Sequence, residues 1–191
     1  LFDSTKYTIT EIPNQSIPKH IIQCYHDKAK IPSKVFKNIQ KFSSGYTHTI
    51  FDDDECKEFI LDNFGEKYIQ IFNRLKSGAH KADLFRVWYL YVNGGVYLDI
   101  KIELVDHLDN IIKDNVNFVT CRSFIPFTMF NGVIMCPRRH PIIKNCLEYF
   151  ENYYWRSSMF YLTFCSNMYN VLTMYCKNNI GANRNGIFLL K

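Results

Sequence analysis

Two side chains of opposite charge lie three positions apart in a segment with a helical pattern. Asp83 and Arg86 have the spacing that brings two residues onto one face of an α-helix, and the neighbouring apolar residues recur at helical intervals. A carboxylate accepts hydrogen bonds from hydroxyl groups, and a guanidinium donates a planar fork to a phosphate or a carboxylate. The pair predicts a site for a ligand that carries both kinds of group. A purely structural salt bridge is the alternative.

A third charged residue follows a short apolar run. Gly94 and Gly95 end the helical pattern, because glycine adopts the left-handed conformation that often closes a helix, and residues 96–98 then form a predicted buried strand. Asp99 comes directly after this strand. Ligands of open α/β sheets bind beyond the carboxyl ends of the strands, so Asp99 is predicted to lie in the same site. A strand-end aspartate without a ligand is the alternative.

The segments that must position these residues alternate between strand and helix patterns. Strands are predicted over 20–25, 46–51, 96–98, 118–121 and 132–136. Helices are predicted over 33–41 with Ser33 as N-cap, from the acidic residues 52–55 to about 63, and over 78–93, 139–154 and 161–176. The alternation predicts an α/β fold.

The composition favours one folded domain over the whole of residues 1–191. The chain has 47% hydrophobic and 21% charged residues, which excludes a disordered or low-complexity protein. The lysines that give its net charge of +5 are scattered along the sequence, so no nucleic-acid partner is predicted. A small anionic ligand fits this charge at least as well as a nucleic acid does. No apolar stretch is long enough to span a bilayer, so no transmembrane segment is predicted in this chain.

The seven cysteines form an odd set without zinc-type spacing. Their expected state is the free thiol, used as a small buried hydrophobe in a reducing compartment. We therefore expect a cytoplasmic protein. Because both chain ends look cut, the Golgi lumen is the alternative if a membrane anchor has been removed, and a C-terminal truncation is expected.

Several motifs in order resemble glycosyltransferase family 32, which includes capsular-polysaccharide-type enzymes, and more distantly the glucosyltransferase domain of the large clostridial toxins. The matching pieces are Ile17-Pro18-Lys19 with Ile21, Gln23 and Tyr25, the second strand at 46–52, Ala82-Asp83-Leu84-Phe85-Arg86, Gly94 to Asp99 in the form G-G-x-Y-x-D, and a weaker echo at Phe130-Asn131-Gly132. The resemblance covers roughly residues 17–109, and it favours a functional role for the charged residues over a purely structural one.

This resemblance implies a single GT-A type, Rossmann-like domain with a mixed central sheet flanked by helices. It also implies transfer of a sugar from a UDP- or GDP-sugar to a glycan or other hydroxyl acceptor such as a glycoprotein, with retention of anomeric configuration. Residues 17–109 would form the nucleotide-sugar-binding core and residues 110–191 the acceptor-side half. By position in the motifs, the implied catalytic residues are Asp83, Arg86 and Asp99. The implied donor-binding residues are these three with Gln23, Cys24, Tyr25, Gly95, Tyr97 and Lys101.

The chain departs from the family pattern at the metal-binding triplet. The family reads D-x-D and binds Mn²⁺ or Mg²⁺ there, whereas this chain reads Asp99-Ile100-Lys101. An ammonium group cannot ligate a cation, so dependence on either metal is in question. Strand alternation beyond Asp99 would place Lys101 and Glu103 on its face. Lys101 would then neutralise the diphosphate, or Glu103 would join Asp99 as a metal ligand.

Two other functions remain open from the sequence. The first is a catalytically silent relative that binds a nucleotide sugar or a glycan, because the lysine in the triplet could have abolished turnover. The second is a nucleotidyltransferase on a similar sheet. That activity needs a glycine-rich phosphate loop near the N-terminus, and residues 17–34 contain no glycine.

Overall fold

A sheet flanked by helices makes up the computed structural model, which describes residues 15–114, 116–153, 162–178 and 187–190. The strands are β1 His20–Cys24, β2 Thr47–Phe51, β3 Gly95–Leu98, β4 Phe118–Arg122, β5 Met129–Cys136 and β6 Ile187–Leu190. The helices are α1 Ser33–Phe42, α2 Asp53–Phe64, α3 Glu66–Arg74, α4 Gly78–Asn93, α5 Leu108–Ile111, α6 Pro141–Tyr153 and α7 Thr163–Asn178.

The six strands form one mixed sheet in the order β2-β1-β3-β5-β4-β6. β1 pairs in parallel with both β2 and β3. β5 is antiparallel to β3 and β4, while β6 pairs in parallel with β4 at the edge. The predicted α/β fold with a mixed central sheet is confirmed.

Side-chain alternation along β3 divides the core between the two faces of the sheet. Val96 and Leu98 belong to a cluster on one face, whereas Tyr97 joins the larger cluster on the other. Trp88 of α4 is fully buried in this larger cluster. Tyr97 and the buried residues of α4 therefore share one side of the sheet, and this arrangement positions the charged residues of α4 beneath the end of β3.

Most predicted elements are confirmed to within a few residues, with two local corrections. Ser33 is not an N-cap: α1 begins at Ser33 with Pro32 before it, and no side chain caps the helix. The strand predicted at 132–136 is longer, because β5 begins at Met129. Asp52 caps α2 through a reciprocal capping box with Glu55, the ordinary function of acids at a helix start. The predicted helix ends at 154 and 161 lie outside the described residues.

Two α-helices and one strand of the structure were not predicted. They are α3, the short α5 and the edge strand β6. α2 and α3 are separated by Gly65 alone, which has a φ of 84° and ends one helix while preceding the next. Within the described residues, none of the helices combines the length and the apolar character that a bilayer crossing demands.

Gly94 joins α4 to β3 at a point where a side chain has no room. Its φ is 68°, and a Cβ there would lie 2.5 Å from the backbone nitrogen of Arg138. We expect Gly94→Ala to lower the free energy of unfolding by about 2–4 kcal/mol, because backbone strain and overpacking add. Gly45 is the matched control: its φ is 79° with open space around it, so Gly45→Ala should cost only about 1–2 kcal/mol. Equal losses in urea unfolding would contradict this prediction.

Candidate active site

The charged residues of α4 lie on its buried face. All of residues 83–90 are buried, and Arg86 is only 2% exposed. Such a charge is stable away from water only when it is paired and hydrogen-bonded. The contacts of Arg86 therefore define the site.

Arg86 uses all three of its side-chain nitrogens within the protein. Nη2 lies 3.1 Å from Oδ1 of Asp83 and 3.2 Å from Oδ1 of Asp99. Nε donates to the carbonyl of Ala82 at 3.0 Å, and Nη1 donates to the carbonyl of Asn131 at 2.5 Å. One guanidinium thus joins α4, β5 and the residue after β3. The structure places Arg86 behind the two carboxylates, where it fixes their positions.

The aromatic ring of Tyr97 completes the enclosure of Arg86. The guanidinium carbon lies 4.3 Å from the ring centroid, a cation–π contact that favours the charged side chain. The Tyr97 hydroxyl donates to Oδ1 of Asp99 at 2.7 Å. Burial raises the pKa of this phenol well above its ordinary value, so it remains a proton donor to the carboxylate.

Asp99 is held firmly on one side and open on the other. Oδ1 receives Arg86 and Tyr97, while the backbone N–H of Asp99 donates to the carbonyl of Gly132 at 2.8 Å. A Cβ on residue 132 would lie 2.7 Å from Oδ2, so glycine at 132 provides the room for this oxygen. With 36% of its side chain exposed, Asp99 presents a preoriented carboxylate oxygen to a ligand.

Asp83 is the more deeply buried of the two acids. Burial raises its pKa, Arg86 opposes that rise, and the charge of Asp99 adds to it. Asn131 donates from Nδ2 to Oδ1 of Asp83 at 2.8 Å. Asn131 was not among the predicted site residues, although it belongs to Phe130-Asn131-Gly132, the weaker match to the family. Its amide and carbonyl both bind the acid–arginine cluster.

A cavity of about 370 Å³ opens beside Asp99. Five predicted donor-binding residues line it: Cys24, Tyr25, Tyr97, Asp99 and Lys101. His26 and the ion pair of Lys81 with Asp53 also lie in its wall. The cavity combines carboxylates, cations and aromatic rings, so it can bind a polar, charged ligand.

The other four predicted donor-binding residues do not line this cavity: Asp83 and Arg86 lie behind Asp99, and Gln23 and Gly95 support the backbone. Gln23 is fully buried; its Nε2 donates to the carbonyl of Asp99 at 3.4 Å, and its Oε1 lies 2.9 Å from Nε2 of His48. Gly95 has a φ of 112°, and a Cβ there would lie 2.7 Å from the carbonyl oxygen of His20. Gln23 therefore supports the segment that carries Asp99, and Gly95 allows β1 and β3 to approach.

The prediction that a strand continues beyond Asp99 is wrong. β3 ends at Leu98, and the N–H of Ile102 donates to the carbonyl of Asp99 at 2.9 Å, which closes a tight turn. Lys101 lies in this turn and still borders the cavity. Glu103 instead pairs with Lys34 at 2.7 Å in a neighbouring groove of about 250 Å³, so alternation does not place it beside Asp99.

The residues at this turn do not fit the divalent metal site of a D-x-D triplet. One oxygen of Asp99 is already engaged by Arg86 and Tyr97, Lys101 occupies the second ligand position, and Glu103 is paired with Lys34. In the described ranges, no three His, Cys, Asp or Glu side chains cluster as metal ligands would. The turn therefore has a lysine at the position where a D-x-D triplet has its second carboxylate.

Comparison with known proteins gives consistent matches. Residues 30–117 match the family described as "Glycosyltransferase sugar-binding region containing DXD motif". The chain is 28% identical over 163 residues to an uncharacterized glycosyltransferase of Acanthamoeba polyphaga mimivirus, covering 83% of this chain and 64% of that protein. It is 29% identical over 160 residues to a mannosyl phosphorylinositol ceramide synthase of Saccharomyces cerevisiae, covering 80% of this chain and 40% of that protein.

The chain thus spans less than two thirds of the length of either relative. Among solved structures, the PaToxG glycosyltransferase superposes with a TM-score of 0.63 at 19% identity, over 88% of this chain and 71% of that one. This superposition confirms the fold expected for a GT-A type domain. The resemblance noted in the sequence is confirmed as well, since the family match includes Asp83, Arg86 and Asp99.

Proposed function

We propose that this chain, a relative of the glycosyltransferases with a DXD sugar-binding region, transfers a sugar from a UDP- or GDP-sugar to a hydroxyl group of a glycan or glycoprotein acceptor. The observation that carries the proposal is the open oxygen of Asp99, held at the wall of a cavity by Arg86 and Tyr97. The family match over residues 30–117 supports it.

The geometry suits the binding of a nucleotide sugar. The free oxygen of Asp99 would accept a hydrogen bond from a hydroxyl of the sugar or the ribose, and its fixed position would orient the anomeric carbon. Tyr25 in the cavity wall offers a ring for the base. Asp83 and Arg86 would act mainly through Asp99, because Arg86 is enclosed and joins both acids.

Transfer would proceed on the face from which the nucleotide leaves. The bond from the anomeric carbon to the phosphate oxygen breaks, and its electron pair departs with the nucleoside diphosphate. The acceptor oxygen then bonds to the anomeric carbon on the same face and gives its proton to the departing phosphate. Asp99 would hold the sugar during this step, and positive charge in the cavity wall would stabilise the diphosphate.

The names of the relatives suggest where an activity screen should begin. The yeast relative is a mannosyl phosphorylinositol ceramide synthase, and another is an initiation-specific alpha-1,6-mannosyltransferase of Schizosaccharomyces pombe. Mannosyl donors are therefore our first choice, with glucosyl and galactosyl donors beside them. The test measures donor hydrolysis and sugar transfer by the purified chain across a panel of UDP- and GDP-sugars. It also measures the melting temperature of the chain with each donor and each nucleotide. If every donor and nucleotide leaves the melting temperature unchanged, the proposal fails.

Same-face transfer gives a stereochemical prediction. We expect proton NMR of the first-formed product to show the anomeric configuration of the donor, because the acceptor attacks on the side where the diphosphate leaves. Spectra must be taken early, before mutarotation when water is the acceptor. Appearance of the opposite anomer first would rule out the proposed geometry while leaving a glycosyltransferase activity intact.

A further inference from the structure

We infer that Lys101 supplies the positive charge that binds the donor's diphosphate, and that this chain uses its donor without a divalent metal ion. The inference rests on the proposed function and specifies how the site handles its nucleotide. It is carried by three observations: the position of Lys101 in the turn after Asp99, the absence of a salt-bridge partner for it in the described residues, and the poor fit of the turn to a metal.

The turn places Lys101 at the border of two cavities. It lines the cavity that contains Asp99 and also the neighbouring groove, together with Tyr25 and Ile100. The hydrogen bond from Ile102 to the carbonyl of Asp99 fixes the two ends of the turn, and Gln23 contacts the same carbonyl. A diphosphate attached to a sugar held by Asp99 would therefore lie within reach of the Lys101 ammonium.

The other lysines that line these two cavities are each paired with an acid. Lys30 pairs with Asp27, Lys34 with Glu103 and Lys81 with Asp53. Within the ranges that the structure describes, Lys101 has no such ion pair. Its charge is thus available to an anionic ligand, and binding a diphosphate there breaks no existing salt bridge.

The same turn is unfavourable for a divalent cation. Only one oxygen of Asp99 remains open, and a lysine two residues away would repel the ion. An ammonium next to the bridging and terminal phosphate oxygens stabilises the charge that develops as the nucleotide leaves. In a metal-dependent enzyme, the bound metal ion stabilises this charge. It does so with a single charge, so a slower reaction than that of a metal-dependent relative is expected.

The first test measures nucleotide binding, which does not require the acceptor to be known. UDP and GDP are titrated into the chain by calorimetry, in EDTA and then in Mn²⁺. We expect the wild type to bind one of them equally well in both buffers, and Lys101→Ala to weaken binding about 10-fold or more, since a charged hydrogen bond is lost. Lys101→Arg should retain binding. Lys34→Ala, an exposed lysine paired with Glu103, is the matched control and should bind as the wild type does.

The second test restores the missing carboxylate. Lys101→Asp recreates the D-x-D triplet, so it should bind Mn²⁺ by electron paramagnetic resonance and should bind the nucleotide only when Mn²⁺ is present. Donor hydrolysis by Lys101→Ala should fall about 10²-fold in kcat, the scale for loss of one preorganised electrostatic group. The melting temperature of each variant shows that the fold is kept.

The outcomes separate the two proposals. Binding or hydrolysis by the wild type that requires Mn²⁺ overturns the role of Lys101 and leaves the glycosyltransferase proposal standing. Unchanged binding by Lys101→Ala in EDTA also overturns it. If neither nucleotide binds the wild type in either buffer, the proposed function fails, and the inference fails with it.

Discussion

Replacement of Asp99 by asparagine is expected to reduce sugar transfer and donor hydrolysis by about 10³-fold, while the melting temperature stays close to that of the wild type. The fold should tolerate the change, because the amide oxygen can still accept from Tyr97 and Arg86 at the position of Oδ1. The open oxygen, however, becomes an amide nitrogen. A donor group then faces the sugar hydroxyl that the carboxylate would accept, so orientation of the anomeric carbon is lost.

Asp106 provides the control for this substitution. It is an exposed acid that accepts from Asn110 and lies outside the residues lining the cavity. Asp106→Asn should therefore leave transfer, hydrolysis and nucleotide binding unchanged. Retention of a tenth or more of the wild-type rate by Asp99→Asn would show that Asp99 does not hold the donor, and the proposed site would have to move.

The part of the site that sequence could predict is the part governed by neighbouring residues. Gly94 ends α4 and Gly95 begins β3, and both have positive φ values that glycine adopts readily. The close backbone approaches at both positions show that no side chain fits there. The apolar run that follows forms β3 as expected. The residues that neighbour Asp99 in the sequence were thus sufficient to predict its place at the carboxyl end of a central strand, beside the helix that carries Asp83.

The direction of the chain after Asp99 could not be predicted in this way. The sequence from Ile100 to Leu104 still alternates apolar and polar residues, which is the pattern of a continuing strand. The chain turns instead: the N–H of Ile102 donates to the carbonyl of Asp99, and Gln23 of β1 donates to the same carbonyl. Gln23 is 76 positions away from Asp99, so no local pattern reports this contact.

The contacts of Arg86 could not be predicted either, because they also depend on residues that are distant in the sequence. A guanidinium suits a phosphate and two buried acids equally well, and spacing alone does not reveal which of them it meets. The decision depends on Asn131 and Tyr97, which close around Arg86 from two other strands. The resemblance implied direct contact of Arg86 with the donor. The structure instead encloses Arg86 within the protein, where it contacts both carboxylates.

Arg86 should also be the residue whose loss harms stability most. We expect Arg86→Met to lower the free energy of unfolding by about 3–5 kcal/mol, because Asp83 would be left as a buried charge without its counter-ion. Arg86→Lys should cost less, since it keeps the charge but loses the fork that joins Asp83, Asp99 and Asn131. Lys144→Ala removes an exposed pair with Glu148 and should change stability by less than about 0.5 kcal/mol.

The pH dependence of this loss distinguishes a missing counter-ion from simple poor packing. Burial already raises the pKa of Asp83, and removal of Arg86 takes away the main group that lowers it. A carboxyl whose pKa is higher in the folded chain than in the unfolded chain holds more protons when folded. Its contribution to stability therefore falls as the pH rises above the ordinary pKa of the carboxyl. In urea unfolding, the free energy of unfolding of Arg86→Met should therefore fall below that of the wild type by less at about pH 5 than at about pH 7.5. The double variant Asp83→Asn with Arg86→Met should lack that slope, because its buried amide does not titrate. A deficit that is the same at both pH values would assign the loss to packing, and Arg86 would then not be the group that keeps the two carboxylates charged and aligned for the donor.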